Sequence, residues 1–504
     1  MTRRLLPALA LLAVAGLTAS CAYYNTFYLA KKYYLRATDG QPYEVDREGS
    51  TQRTNYNKAI DYSKKLIGSY PNSKWVDDAY LLWAKALIGT DDPLKTVTML
   101  EDFDTRYAKS DLKAEAGFFL GLAYRVARKY PEAVEQFDEF LKATPRHPLA
   151  PYAYYERSEA LMQLQRFGDA AASAGEVLTR YPSSPLADRA LLQRAEARFQ
   201  QGDYTGARAD FRTIGATARN DQDRFAFLLR EVDCLEAARD YDQALAVLRS
   251  ERGHVPPPAA PQPNVVAPAG NERYGQLTLR IGSVLLEAGR LQEALQEYAS
   301  VLQDYNRTQL AAEAQYRIGY AYETGADDFD RARQEYAKVK DQTAQSQFLQ
   351  LAQQRMENLD RISQFHAGGG TDSLARRAES GFLTAEHYLF ELDRPERALE
   401  EYAKVVDRFP HTPVAGRALN AEGWVLSRKL HRQGAADSLF WVVVRQYPAT
   451  EAQLAARDYL EAAGETVPDS LIVAPAAPTP APAPADTTAL TPTPAATPGL
   501  GPRG

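Results

Sequence analysis

The chain has 504 residues, 45% hydrophobic and 25% charged, with 59 basic against 65 acidic side chains and a formal charge of −6. That length exceeds what one core organises, so several domains or a repeat array are expected. The acidic balance argues against the basic footprint of a nucleic-acid binder, and the two cysteines, Cys21 and Cys234, allow at most one disulfide.

At the N-terminus, Arg3 and Arg4 precede a mostly apolar run from Leu5 to Leu17, and Thr18, Ala19 and Ser20 lead into Cys21. Positive, apolar and small-residue segments in that order are those of a secretory signal. The run is shorter than the roughly 20 residues that cross a bilayer. Leu17-Thr18-Ala19-Ser20-Cys21 resembles the lipobox of bacterial lipoproteins, with Thr18 where such boxes usually carry leucine. The resemblance implies cleavage before Cys21, diacylglycerol on its thiol and acylation of the new amino terminus. With Ala22 next, it also implies the periplasmic face of the outer membrane. Several acyl chains meet the two-signal requirement for stable anchoring. Residues 1–20 are then a signal peptide and 21–50 a lipid-anchored aromatic segment; a cleaved signal with an incidental cysteine is the alternative. Loss of Arg3 and Arg4 leaves 57 basic residues and a charge of −8. Cys234, the thiol that remains, sits in FLLREVDCLEAA and reads as a small core residue rather than a nucleophile.

In CAYYNTFYLAKKYY (21–34), Tyr23, Phe27, Ala30 and Tyr34 share one helical face while Lys31 and Lys32 lie on the other side. Two roles fit. One is an interfacial helix with tyrosines at headgroup level; the other is a first helix that caps the helices after it.

From residue 51 the chain repeats itself. An alanine precedes a proline by twelve residues in Ala59/Pro71, Ala133/Pro145, Ala170/Pro182, Ala244/Pro256, Ala398/Pro410 and Ala436/Pro448. Ala207, Ala294 and Ala332 head matching segments without the proline, and Lys95 takes the slot in another. Between residues 59 and 244 the steps are 36, 38, 37, 37 and 37. Four residues after the alanine comes a bulky side chain: Phe137, Phe211, Leu248, Tyr298, Tyr336, Tyr402 or Phe440. That spacing puts both on one helix face, where the small residue admits a neighbouring helix. The proline ends the helix because its ring cannot continue the ladder. Ser73, Ser110, Ser184, Thr308, Thr412 and Thr450 are expected N-caps, with His147 the exception, and Pro148, Pro185 and Pro413 are expected at the first helical position. The helix before carries its own small residue, as Gly121 and Gly282.

This pattern resembles the tetratricopeptide repeat, a helix pair of about 34 residues. The longer units and the YPNS and YPSSP corners resemble tetratricopeptide lipoproteins of bacterial envelopes, among them BamD-type assembly lipoproteins and YbgF-type periplasmic proteins. CAYYNTFYLAKKYY is similar to the opening of further lipoproteins of this kind. The expected fold is all-α, a tetratricopeptide-like helix-turn-helix solenoid of about ten helix pairs. Array 1 covers 51–253, the proline-rich spacer HVPPPAAPQPNVVAPAG 254–270, array 2 271–365, a Gly-rich joint 366–372, and array 3 with its capping helix 373–466. Residues 467–504 are expected to be a disordered Pro/Ala/Thr-rich tail.

No catalytic constellation, metal site or cofactor is expected. GGGTD lacks the lysine of a phosphate loop, and His387 has no second histidine four residues away. The acid pairs Asp77/Asp78 and Asp327/Asp328 lie at helix starts, where the dipole favours them. The resemblance implies protein or peptide partners on a concave face lined by first helices. Aligned on Gly121, Ser158 and Ala195, the candidates are Phe118, Arg125, Tyr152, Tyr155, Glu159, Arg189 and Glu196. Tyrosine and arginine are enriched at binding hot spots, although tyrosines also complete inter-repeat packing. The expected function is a non-enzymatic, lipid-anchored periplasmic scaffold for envelope proteins. The alternative is a Tol-Pal or peptidoglycan-linked coordinator whose tail reaches the wall. A wall-active enzyme is disfavoured, since no non-repeat segment is large enough for a catalytic domain.

Overall fold

The computed structural model describes residues 25–43, 50–90, 92–258, 272–343, 345–367, 374–390 and 394–473. Cys21, the signal, most of the proline-rich spacer and Gly-rich joint, and the tail beyond 473 lie outside the described residues. Among the described residues every regular element is a helix. The chain divides into two compact units, residues 1–256 with 280–290, and 257–279 with 291–504.

The first unit holds α1 (25–37), α2 Ser50–Ser69, α3 Val76–Ile88, α4 Pro93–Glu101, α5 Phe103–Arg106, α6 Lys113–Val126, α7 Tyr130–Ala143, α8 Ala150–Gln163, α9 Phe167–Arg180, α10 Ala187–Gln201, α11 Tyr204–Thr217, α12 Asp221–Ala237 and α13 Tyr241–His254. After α14 Glu272–Glu287, whose residues are divided between the units, come α15 Leu291–Asp304, α16 Gln309–Gly325, α17 Phe329–Ala337, α18 Val339–Gln342, α19 Gln347–Ala367 and α20 Leu374–Phe390. The second unit ends with α21 Pro395–Arg408, α22 Pro413–Arg428, α23 Gln433–Gln446 and α24 Glu451–Ala462.

The repeat alanines Ala59, Ala133, Ala170, Ala207, Ala244, Ala294, Ala332, Ala398 and Ala436 are all fully buried. Lys95 does not join them. It is exposed, and the slot is filled by buried Thr96, whose hydroxyl donates to Ala84 O at 2.9 Å. That correction makes the step 37 residues throughout, from 59 through 96 and 133 to 244. On the facing helix the close-contact positions are Ala84, Gly121, Ser158 and Ala195. Ser158 also bonds across, donating to Ala170 O at 2.8 Å. The bulky residues Phe137, Phe211, Leu248, Tyr298, Tyr336, Tyr402 and Phe440 are buried against this face. A Cβ at Gly121 would lie 2.9 Å from the Phe137 ring, so the ring's size dictates the glycine.

The helices α2, α7, α9, α13, α21 and α23 stop two residues before Pro71, Pro145, Pro182, Pro256, Pro410 and Pro448. Thr308, Thr412 and Thr450 are N-caps, accepting from Ala311, Ala415 and Gln453 N–H. Ser73, Ser110 and Ser184 lie two residues before the N-cap positions Trp75, Leu112 and Leu186 and accept from their N–H groups. His147 is no exception: its Nδ1 accepts from Leu149 N–H at 3.1 Å. Pro413 begins α22, whereas Pro148 and Pro185 lie in the turn before α8 and α10. A regularity unread in the sequence is the left-handed residue inside seven of the helix pairs among the described residues: Arg128, Gln165, Gly202 and Arg239, spaced by 37, then Gly289, Asp327 and His431. Only two are glycine.

At the N-terminal end, Ala30 is buried, Phe27 stacks on Trp75, Tyr33 stacks on Tyr62, and Tyr34 meets Tyr56 edge-on. Residues 25–37 therefore form the capping helix of the two alternatives. In the second unit one apolar core runs from Ala312 to Val425, joining Ala352 and Leu359 of α19 to Ala378 and Phe382 of α20. The expected tail begins later than residue 467. Val467 is buried beside Leu460, and buried Gln453 donates to Leu471 O at 2.8 Å and accepts from Val473 N–H at 3.2 Å.

Candidate partner-binding groove

The 37-residue step turns alternate helices α6, α8 and α10 into a surface of equivalent positions. Phe118, Tyr155 and Leu192 are one such row; Phe119, Glu156, Gln193 and Arg230 of α12 are another. Exposure along the first row rises from 0% at Phe118 through 9% at Tyr155 to 38% at Leu192.

The cover over Phe118 comes from the chain itself. After α1 come Asp39 and Gly40 at φ 52° and 78°, and Gly40 N–H bonds back to Leu35 O at 2.8 Å. The chain then turns as a strap, residues 38–43, onto α6 and α8. Tyr34 Oη donates to Pro42 O at 2.7 Å. Tyr43 Oη donates to Glu156 Oε1 at 2.6 Å, across 113 residues of sequence. The Tyr43 ring lies 5.8 Å from Phe118 and 5.7 Å from Tyr152. Glu156 is fully buried, and its second oxygen is ion-paired with Arg125. Burial, then the Glu156 charge, pushes the Tyr43 hydroxyl well above its ordinary range, so it stays a donor. Burial disfavours the Arg125 charge, but Glu156 beside it outweighs this and the net direction is upward. Beside the strap a cavity of about 350 Å³ lies between Phe27, Gly40, Trp75, Lys85 and Glu115.

The sequence-read candidates divide accordingly. Phe118 is a core residue rather than a surface contact, because Tyr43, Phe137 and Phe140 surround it. Tyr152 and Tyr155 are nearly buried, and Tyr152 packs on Tyr43. Arg125 serves Glu156. Glu159 accepts from Gln193 Nε2, and Glu196 from Arg230 Nη2 at 2.5 Å, each bond tying one repeat to the next. Arg189 is exposed at the start of α10. Glu156 and Tyr43 were missed. The register marks Glu156 as equivalent to Phe119, a wall position where a carboxylate needs a partner.

The second unit has a comparable cluster. Buried Glu323 accepts from Tyr336 Oη at 2.6 Å and from Arg355 Nη1 at 3.0 Å. Cys234 is a core residue with its thiol pushed up to about 11 by burial, and His387 is buried in α20. Among the described residues, no His, Cys, Asp and Glu cluster is arranged to hold a metal ion, and no helix is long and apolar enough to cross a membrane.

The tetratricopeptide repeat family model matches residues 118–185, 155–215 and 279–346. No curated protein matches the chain. Among solved structures, it is similar to Naa15/Naa10 bound to HypK-THB, with 14% identity over 84% of this chain, 63% of that chain and a TM-score of 0.39. A tetratricopeptide repeat protein from Parabacteroides merdae is 12% identical over 58% of this chain and 99% of that one, with a TM-score of 0.32. The apo quorum sensor NprR from B. thuringiensis is 12% identical over 84% and 99%, with a TM-score of 0.35.

Proposed function

We propose that this tetratricopeptide-repeat chain is a non-enzymatic scaffold that holds protein partners on the α6–α8–α10 face of its first unit. Lipid on Cys21 tethers it to the periplasmic face of the outer membrane, and its partners serve envelope assembly or maintenance. The observation that carries the binding role is the row Phe118, Tyr155, Leu192, which passes from covered to open at a fixed repeat step. Such a face offers apolar contact flanked by charge, including exposed Arg189. The anchor rests on the order of segments before Cys21, and α1 begins four residues after it.

A photo-crosslinker at Leu192 in intact cells tests the binding role. Envelope proteins captured through this position are the expected result; recovery of peptidoglycan fragments alone would favour the wall-linked alternative. Fractionation tests the anchor: Cys21→Ala moves the protein from membrane to soluble periplasm, and an unchanged membrane fraction refutes lipidation. A cleared band for the purified protein in wall zymography would refute the non-enzymatic part.

A further inference from the structure

We infer that residues 38–43 are a built-in occupant of the first unit's groove, and that the groove's external ligand is an extended peptide segment whose tyrosine replaces Tyr43. The inference rests on the scaffold reading above and names the ligand class of the same face.

The strap is seated as a peptide ligand is. Two side chains are buried, Thr38 at the start and Tyr43 at the end, while Asp39, Gly40 and Gln41 between them remain exposed. The Tyr43 ring enters an aromatic pocket of Phe118, Phe119 and Tyr152, and its hydroxyl finds Glu156. The pocket's walls are repeat positions on α6 and α8, set by the 37-residue lattice and not by the strap. One repeat further, the row continues uncovered at Leu192. When the strap leaves, Glu156 keeps Arg125, so its charge is not stranded. The strap is held between α1 and α2 by the twelve residues 38–49, and this tether gives it an effective concentration on the order of millimolar. An incoming segment must therefore outcompete it, which lowers apparent affinity by the fraction of time the groove is open. The strap thus screens out weak segments and selects those that also use the open row beyond Tyr155.

The test uses the full chain and a fluorescein-labelled peptide of residues 37–46, ATDGQPYEVD, read by anisotropy. The peptide binds Tyr43→Ala protein at least about tenfold tighter than the unaltered chain, because its competitor has lost its anchor. Phenylalanine in place of the peptide's tyrosine weakens binding about tenfold, and Glu156→Gln on the Tyr43→Ala background does the same. Equal affinity for both proteins, or no binding by Tyr43→Ala protein, overturns the inference. Loss of cooperative helical melting in Tyr43→Ala also overturns it, by making Tyr43 core. Hydrogen exchange of the unaltered chain needs no substitution: saturating peptide deprotects 38–43 while 25–37 keeps its protection, and unchanged exchange at 38–43 overturns the displacement. Crosslinks at Leu192 lie beyond the strap, so failure here and failure of the scaffold role are told apart.

Discussion

Glu156 in the first unit and Glu323 in the second are both fully buried, and each binds a tyrosine hydroxyl at 2.6 Å and an arginine. Their tyrosines differ in origin. Tyr336 lies 13 residues from Glu323 and fills the bulky slot of its own repeat, fully buried against Gly319. Tyr43 lies 113 residues from Glu156 on a strap with three exposed residues. The same three groups are therefore a fixed part of packing in one unit and a releasable contact in the other. What separates them is whether the tyrosine's backbone belongs to the lattice.

The largest effect should come from removing the carboxylates. Glu323→Ala removes the carboxylate partner of Arg355 and strands the Tyr336 hydroxyl, whose fully buried ring cannot reach water without breaking the repeat. A loss of about 3–5 kcal/mol in the second unit is expected. Glu156→Ala should lose less, about 2 kcal/mol, because the strap can lift and rehydrate Tyr43 and Arg125. Segment-resolved hydrogen exchange against denaturant measures both, and equal losses would erase the distinction drawn between the clusters.

Glycine contacts sharpen the same point. A Cβ at Gly319 would lie 2.5 Å from the Tyr336 ring, which Glu323 holds by its hydroxyl. Gly319→Ala should cost about 2–3 kcal/mol, and Gly121→Ala, facing the unanchored Phe137 ring at 2.9 Å, nearer 1 kcal/mol in thermal melts.

A third test separates a paired buried carboxylate from an unpaired one. Glu422 in the second unit is pushed up to about 7, first by burial and then by Asp407, and its Oε1 has no hydrogen-bond partner. A folded pKa above the unfolded one means the protonated acid favours the fold. That contribution is full below about pH 4.5 and is lost as pH rises through 7. Discounted for partial exposure, melting from pH 5 to 8 should show a fall of about 1–2 kcal/mol in the second unit. Glu422→Gln should flatten it.

How much of this was legible in the sequence depends on which residues the lattice constrains. Alanines at close helix contacts and prolines two residues past helix ends are forced by geometry, so the repeat and fold class could be read directly. Thr96 was misread as Lys95 because threonine replaces a small contact by a hydroxyl bond to Ala84 O, a solution that alanine counting does not anticipate. Arg125, Tyr152 and Tyr155 were placed on the correct helices by register. Their burial was not legible, because what covers the start of that face is a non-repeating loop. Tyr43 carries no periodicity, and Glu156 looks like an ordinary helix charge until the 37-residue step places it beside Phe119's row. Local pairs such as Tyr336 and Glu323 are within reach of pattern reasoning; a contact across 113 residues is not.

The smallest effect tests whether strap release can be separated from repeat stability. Gln165 turns between α8 and α9 at φ 58°, a conformation that costs a non-glycine residue about 1 kcal/mol, and its equivalent one repeat on is Gly202 at φ 86°. Gln165→Gly removes that strain but frees the unfolded chain, for a net gain of about 0.5 kcal/mol. Gly202→Ala should lose about 1 kcal/mol. Neither residue is on the strap or among the side chains that hold Tyr43. A stabilised Gln165→Gly chain should therefore melt later yet exchange residues 38–43 at an unchanged rate. If strap exchange slowed in step with melting, the strap would open only when the repeats unfold, and Tyr43 would belong with Tyr336 as core.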